Sequence, residues 1–152
     1  MSKSFDIHKP LDLSEGVTRK GSRSWAITES KAACEAMIAG EKTAELRLSV
    51  PSALNWGDVV YVIKKGSGGK VVCRFTVAEI IRQKPGPLWE AYKSELAMEW
   101  RDYVYYTYKW PMVSLIRFEK VQEPTRSLVF LEELGLLMSP KWFVEVKPPK
   151  AF

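Results

Sequence analysis

Three charged side chains, Lys42, Glu45 and Arg47, stand close together in the segment Gly40-Glu41-Lys42-Thr43-Ala44-Glu45-Leu46-Arg47. Thr43, Glu45 and Arg47 alternate with Ala44, Leu46 and Leu48, the period of a strand with one apolar and one polar face. Glu45 and Arg47 share the polar face, with Cα atoms roughly 7 Å apart. Lys42 stands at the corner where the strand begins, just after Gly40 ends a helix. Three charged side chains of mixed sign therefore converge at one end of the sheet. A lysine whose pKa is lowered by burial can take a proton or polarise a phosphate. The same alternation describes a half-exposed strand with a loose ion pair worth under about 1 kcal/mol, and spacing alone favours that plainer description.

Composition removes several other chemistries. His8 is the sole histidine and Cys34 and Cys73 the only cysteines, so zinc sites and Ser-His or Cys-His catalysis lack their usual parts, and no metal or cofactor is expected. Both cysteines sit in apolar periodic segments, which suggests buried thiols in a reducing compartment, with one disulfide as the alternative. The 152 residues suit one domain, and 46% hydrophobic content can build a core without disulfides or metal. No apolar run approaches the roughly 20 residues that cross a bilayer, and the first residues lack an apolar signal-peptide core, so a cytoplasmic protein without a membrane partner is expected. Net charge is +5, which leans towards anionic partners such as nucleic acid. Six Trp and six Tyr, many beside Lys or Arg, fit base stacking next to phosphate contact, although most of these rings are expected in the core.

The elements that must position the charged segment can be read along the chain. Residues 1–24 read as an N-terminal extension, 25–148 as the domain and 149–152 as a C-terminal tail. Trp25-Ala26-Ile27 reads as a short strand. Thr28 is placed to cap a helix with Glu29 in its first turn, and Ala33, Cys34, Met37 and Ile38 follow the helical period. Asn55-Trp56-Gly57-Asp58 forms a turn into an apolar strand, Val59 to Ile63. Lys64 to Lys70 makes a Gly-rich hairpin tip, and Val71 to Ile81 is the returning partner. That tip lacks the spacing of a phosphate-binding loop. Pro85-Gly86-Pro87 breaks the chain before one helix from about Leu88 to Tyr103, with Leu88, Tyr92, Leu96 and Trp100 on its packing face. Met112 to Val121 reads as a strand, Ser127 as the cap of a short helix over Leu128 to Leu134, and Trp142 to Val146 as the last strand. Strands separated by irregular helices, with one hairpin, imply an α+β, barrel-like mixed sheet.

Gly40, Lys42, Glu45 and Arg47 match G-x-K-x-x-E-x-R, and with that motif the chain resembles the ASCH domain family of the PUA-like superfamily. The likeness extends to the preceding strand and helix, the Gly57-Asp58 turn, Ser127-Leu128 at the start of a short helix, and the closing Ser139-Pro140-Lys141-Trp142-Phe143-Val144. It covers about Trp25 to Val146. The resemblance implies a small mixed β-barrel flanked by helices, with a basic cleft beside the motif that binds RNA or another nucleic-acid ligand, including a modified base or nucleotide. Lys42 and Arg47 would then meet phosphate or a polar base edge, Glu45 would orient them or accept from a base amine, and Trp142 would offer a stacking surface. Plain core packing is the equal alternative for Trp142.

One branch of that family hydrolyses acylated cytidine with a Lys, a Thr and a downstream Glu. Here Lys42 keeps the Lys position but Glu45 replaces the Thr, and Thr43 is not the matching position, so that mechanism does not transfer. Other relatives are linked to ribonuclease activity, for which Lys42 and Glu45 are the candidate acid-base pair. The leading expectation is therefore salt-sensitive RNA binding without chemistry. The alternative is a hydrolase acting on RNA or a modified nucleoside. An accessory role towards a protein partner, through exposed aromatics, is the third. In the aromatic run Tyr103 to Trp110, one or two rings are expected to face ligand from a cleft wall and the rest to pack on the sheet.

Overall fold

The computed structural model describes residues 20–152 together with the backbone of Phe5–Asp6. The rest of the expected N-terminal extension lies outside the described residues. Phe5–Asp6 forms a short strand, β1, paired antiparallel with Ile81 and Arg82. Then follow β2 (Ser24–Glu29), α1 (Lys31–Ile38), β3 (Ala44–Arg47), β4 (Val59–Lys64), β5 (Val71–Gln83), α2 (Pro85–Leu96), α3 (Trp100–Thr107), β6 (Val113–Gln122), a 3-10 turn (Leu131–Leu134) and β7 (Val144–Val146).

The sheet runs β3-β6-β5-β4-β2-β7, with β1 beside β5. Among the described residues only the β2–β4 pairing is parallel, as a strand-helix crossover requires, and the other pairings are antiparallel. The long β5 carries the curvature. Its first half pairs with β4 and its second with β6, with register shifts between Arg74 and Thr76 and between Val77 and Glu79. Bulges of this kind bend a strand and tighten its twist. The sheet therefore rolls into a half-barrel with helices against it, in line with the α+β, barrel-like architecture expected from the sequence.

Strand alternation decides the core. In β5, Cys73, Phe75 and Val77 are buried, and Phe75 stacks on Phe118 of β6 at 4.2 Å. They join Trp25, Ile27, Cys34, Met37 and Ile80 inside the roll. A second cluster (Ala44, Leu46, Ile81, Leu88, Leu96, Tyr103) lies between the β3 edge and helices α2 and α3. Cys34 and Cys73 are free, buried thiols that burial pushes up to about 11 and about 12, so both stay protonated at neutral pH. Among the described residues no helix is long and apolar enough to cross a membrane.

Several boundaries differ from the sequence expectations, each for a physical reason. The strand at Trp25 continues to Glu29, and Ser30, not Thr28, caps α1 by accepting from the Ala33 amide at 3.1 Å. Pro85 opens α2 rather than stopping the chain before it, because a proline at the first helical position gives up an N–H that has no helical partner anyway. The single helix expected to Tyr103 is two helices, separated where Ala97 adopts the left-handed conformation (φ 51°). Leu88 and Leu96 of α2 and Tyr103 of α3 pack into the same cluster, so the apolar spacing continues through the break and hides it. The helix expected from Leu128 is only the 3-10 turn at Leu131–Leu134, whose entry Glu133 holds by accepting from the Phe130 amide at 3.1 Å. The last strand begins at Val144 rather than Trp142.

Asp58, at the end of the Gly57 turn, is fully buried and ties the start of β2 to the start of β4. Its carboxylate accepts from the Trp25 indole (2.9 Å), the Asn55 amide (2.9 Å) and the Arg23 amide (3.0 Å). Asp58→Ala leaves three donors without an acceptor, and a loss of about 3 kcal/mol or more is expected from denaturant unfolding. Asp58→Asn keeps an acceptor and should lose clearly less. Equal losses from the two variants would show that side-chain volume, not hydrogen bonding, sets the cost.

Candidate functional site

The motif lies on β3, at one edge of the sheet, where pairing with β6 sets the face of each side chain. Ala44, Leu46 and Leu48 face the second core cluster, and Glu45 and Arg47 face the opposite way, as alternation requires. Gly40, with φ +80°, turns the chain from α1 into β3 in a conformation that penalises a side chain. Lys42 follows at the corner, and Thr43 binds sideways to Glu95 of α2 through its amide (2.9 Å) and its hydroxyl (3.4 Å).

The charged residues form one continuous chain of contacts. Lys42 Nζ donates to the Leu96 carbonyl (3.3 Å) and pairs with Glu45 Oε1 (3.2 Å). The other oxygen of Glu45 accepts from Arg47 Nη2 (3.0 Å) and Nε (3.3 Å). Arg47 Nη2 also donates to Glu29 Oε1 at 2.7 Å. Lys42 and Glu45 are 7% and 4% exposed, so this is no loose surface pair. The Lys42 contact with Leu96 satisfies a carbonyl at the end of α2, where a cation is favourable. Arg117 fixes that helix end by forking onto Glu95 (3.0 and 3.1 Å) while reaching Glu79 (2.9 Å).

Arg47 does more than line a cleft. Strands β3 and β2 are separated in the sheet by β6, β5 and β4, yet Arg47 and Glu29 meet. The guanidinium also lies 5.3 Å from the Phe143 ring centroid. Trp142 donates its indole N–H to the Ser49 carbonyl at 3.2 Å. The open side of the half-barrel, between β3 and the β2–β7 end, is thus bridged by side chains.

These residues open onto a cavity of about 390 Å³. Lys42, Glu45, Arg47 and Glu29 supply its polar lining. Leu96, Met98 and Tyr106 supply apolar surface, and the first turn of α1 borders it. The sequence-predicted Lys42, Glu45 and Arg47 are therefore brought together at a hollow, and Trp142 is not among the residues that line it. Phe143, its neighbour, is the ring that meets Arg47. Glu29 was assigned on sequence to the first turn of α1 and so was missed. The signal that could have found it is Ser30, a better cap than Thr28, which leaves Glu29 at the end of the strand. With Glu29 present the cleft is not basic, as expected, but balanced: two cations face two carboxylates.

Burial holds the Lys42 ammonium below the ordinary lysine value of 10.5. The Glu29 carboxylate opposes this, as Glu45 must at 3.2 Å, and the Arg47 cation adds to it. A lysine whose folded pKa lies below its unfolded one binds more protons when unfolded, so stability rises with pH through the window just below 10.5. The raised thiols of Cys34 and Cys73 act in the opposite sense above their ordinary value of 9.0, so the Lys42 contribution is read as a difference. In urea unfolding between neutral pH and pH 10.5, the parent should gain stability relative to Lys42→Met as pH rises. An identical pH slope in both would place the titration elsewhere.

The Arg47 bridge makes a second expectation. Removing the guanidinium leaves the half-buried Glu29 without its ion-pair partner and the buried Glu45 with Lys42 alone. Arg47→Met should cost about 3–5 kcal/mol, and adding Glu29→Gln should restore part of it. Strictly additive losses in this double-mutant cycle would mean that the two side chains do not interact across the seam.

The ASCH domain family model matches residues 30–122. Among solved structures, the ASCH protein of Zymomonas mobilis superposes with a TM-score of 0.74 at 16% identity, over 82% of this chain and 88% of that one. A tyrosine-to-phenylalanine mutant of that protein gives 0.74 at 16% identity over 82% and 91%, and a serine-to-alanine mutant 0.73 at 16% identity over 85% and 92%. At that identity the likeness shows the shared fold alone. No curated protein matches the chain. The family match spans well over half of the chain, from the cap of α1 to the end of β6, and includes the whole Gly40–Arg47 motif: the chain belongs to the ASCH domain family.

Proposed function

We propose that this ASCH domain binds RNA by taking one base or nucleotide into the cavity beside Lys42, Glu45 and Arg47. The observation that carries the proposal is the pairing of a ligand-sized hollow, about 390 Å³, with buried charged groups that still have hydrogen-bonding capacity. Lys42 has three N–H donors, of which Glu45 and Leu96 engage two. Arg47 uses Nε and Nη2 in its ion pairs, which leaves Nη1. Glu29 accepts through Oε1, which leaves Oε2. Donors and an acceptor of this kind suit the edge of an amide-bearing heterocycle, with Met98, Leu96 and Tyr106 as apolar surface for its faces.

The charge balance refines what is bound here. With two carboxylates beside two cations, the cavity has little net attraction for phosphate, so the base edge is the better fit and the backbone charge is met outside it. Burial also shifts Lys42 towards a proton-accepting amine, with the Glu45 carboxylate 3.2 Å away as its acid-base partner, and on that observation a hydrolase acting on RNA or a modified nucleoside is the second reading.

The test is binding of single-stranded RNAs and single nucleotides to the parent and to Lys42→Met across a salt series. Losing one buried, charged hydrogen-bond donor should weaken binding about 10- to 100-fold. The salt slope should stay unchanged if Lys42 reads a base, and fall by about one if it holds a phosphate. Parent-level binding by the variant would remove the cavity from the RNA site. Chromatography of the same mixtures, with acylated nucleosides included, decides the second reading: turnover lost in Lys42→Met makes the domain an enzyme.

A further inference from the structure

Helix α3 is a wall with a hollow on either side. Tyr106 lines the motif cavity. Trp100 and Val104 of the same helix and Tyr108 at its C-terminal cap, with Lys84, Trp110 and Pro111, line a separate groove of about 550 Å³. Tyr108, Trp100 and Trp110 remain 66%, 54% and 47% exposed. Three large rings left open on one groove are a surface in search of a flat, apolar guest. Trp100 is firmly held. Trp100 is backed by Trp89 at 5.3 Å and by Tyr103 at 6.1 Å with planes 17° apart, and the Tyr103 hydroxyl donates to the Pro85 carbonyl at 2.7 Å.

The charge around these rings narrows the guest. Lys84 lines the groove, Lys109 holds its Nζ 5.5 Å over the Tyr108 ring, and no carboxylate is among the lining residues. Glu99 and Asp102 are exposed nearby in sequence, with Arg101 between them. Open aromatic faces, one of them fixed at Trp100, with ammonium groups at the rim are the composition of a single-strand stacking platform, where rings meet bases and cations follow phosphates. Proline-rich peptides also use aromatic grooves, but they need no flanking cations. Nor would such a peptide account for one helix serving both hollows.

We infer that the α3 groove is a second nucleic-acid subsite, in which Tyr108 and Trp110 stack an unpaired base of a strand whose other end enters the motif cavity. This rests on the reading of that cavity as a base site. A helix with its side chains is about 10–12 Å across, so a strand a few nucleotides long spans the two hollows. Its path crosses the outer surface of α3, where Arg101, Asp102 and Tyr105 are exposed.

The experiment is photo-crosslinking of the full chain to a single-stranded hexaribonucleotide carrying 4-thiouridine, with adducts located by mass spectrometry. Hexamer and single-nucleotide affinities are measured alongside for the parent and for a Tyr108→Ala, Trp110→Ala double variant, both with circular dichroism as a folding control. Adducts are expected on Tyr108 or Trp110 as well as in the Lys42–Arg47 segment. The double variant should bind the hexamer about five- to a hundredfold more weakly per stack lost and the single nucleotide as the parent does. Adducts confined to Lys42–Arg47, with hexamer affinity unchanged in the double variant, would overturn the groove and leave the cavity standing. Adducts confined to Tyr108 and Trp110 would uphold the groove and overturn the cavity. Adducts at neither, or a groove that takes a proline-rich peptide and ignores the hexamer, would overturn it as well.

Discussion

Arg47 ties together two strands that the sheet itself keeps apart, and the shape of the site depends on that tie. Backbone hydrogen bonds carry the sheet from β3 through β6, β5 and β4 to β2, but none joins β3 back to β2. The gap is spanned by Arg47 between Glu45 of its own strand and Glu29 of β2, with Phe143 beneath the guanidinium and Trp142 hydrogen-bonded to Ser49. A planar fork that can serve two carboxylates while resting on a ring suits this place better than a lysine, whose single ammonium offers neither geometry. The cavity exists because this closure uses side chains, which leave room between them, rather than a strand pair, which would not.

A buried ionic network is a poor way to gain stability, since desolvating the charges offsets most of their attraction and apolar packing does as well. Its presence at the seam therefore asks for another reason. The relay from the Leu96 carbonyl through Lys42, Glu45 and Arg47 to Glu29 fixes each donor and acceptor by its neighbour. Side chains held by one another in this way are already ordered, so little entropy would be lost on binding a ligand. The Arg117 fork on Glu95 and Glu79 and the Thr43 contacts with Glu95 hold the helix end that begins the relay.

Much of this was legible in the sequence because it is periodic or local. The alternation in β3 put Glu45 and Arg47 on one face, Gly40 marked the helix end by its need for positive φ, and the hairpin was bounded by glycines. What escaped was decided by contacts distant in sequence. Glu29 joins Arg47 only because the sheet rolls up, and no spacing rule links positions 29 and 47. The break at Ala97 left the apolar period intact, since both helices pack into one cluster. Trp142 and Phe143 adjoin in sequence, and which ring meets the motif depends on the strand starting at Val144, a boundary that alternation alone does not fix.

The balance of charge at the motif has a consequence for how a basic protein can be selective. A net charge of +5 draws any polyanion to the surface, without regard to sequence. If the cavity were basic too, phosphate would compete there with every base and discrimination would be lost. Placing Glu29 and Glu45 against Arg47 and Lys42 removes that competition, so under the proposed function entry depends on matching donors and acceptors rather than on charge. Burial then raises the cost of a mismatch, because a polar group left without a partner in so enclosed a site loses the hydrogen bonds it had in water. The proposed function thus assigns attraction and discrimination to different parts of the molecule, the first to exposed cations and the second to a neutralised hollow at the seam.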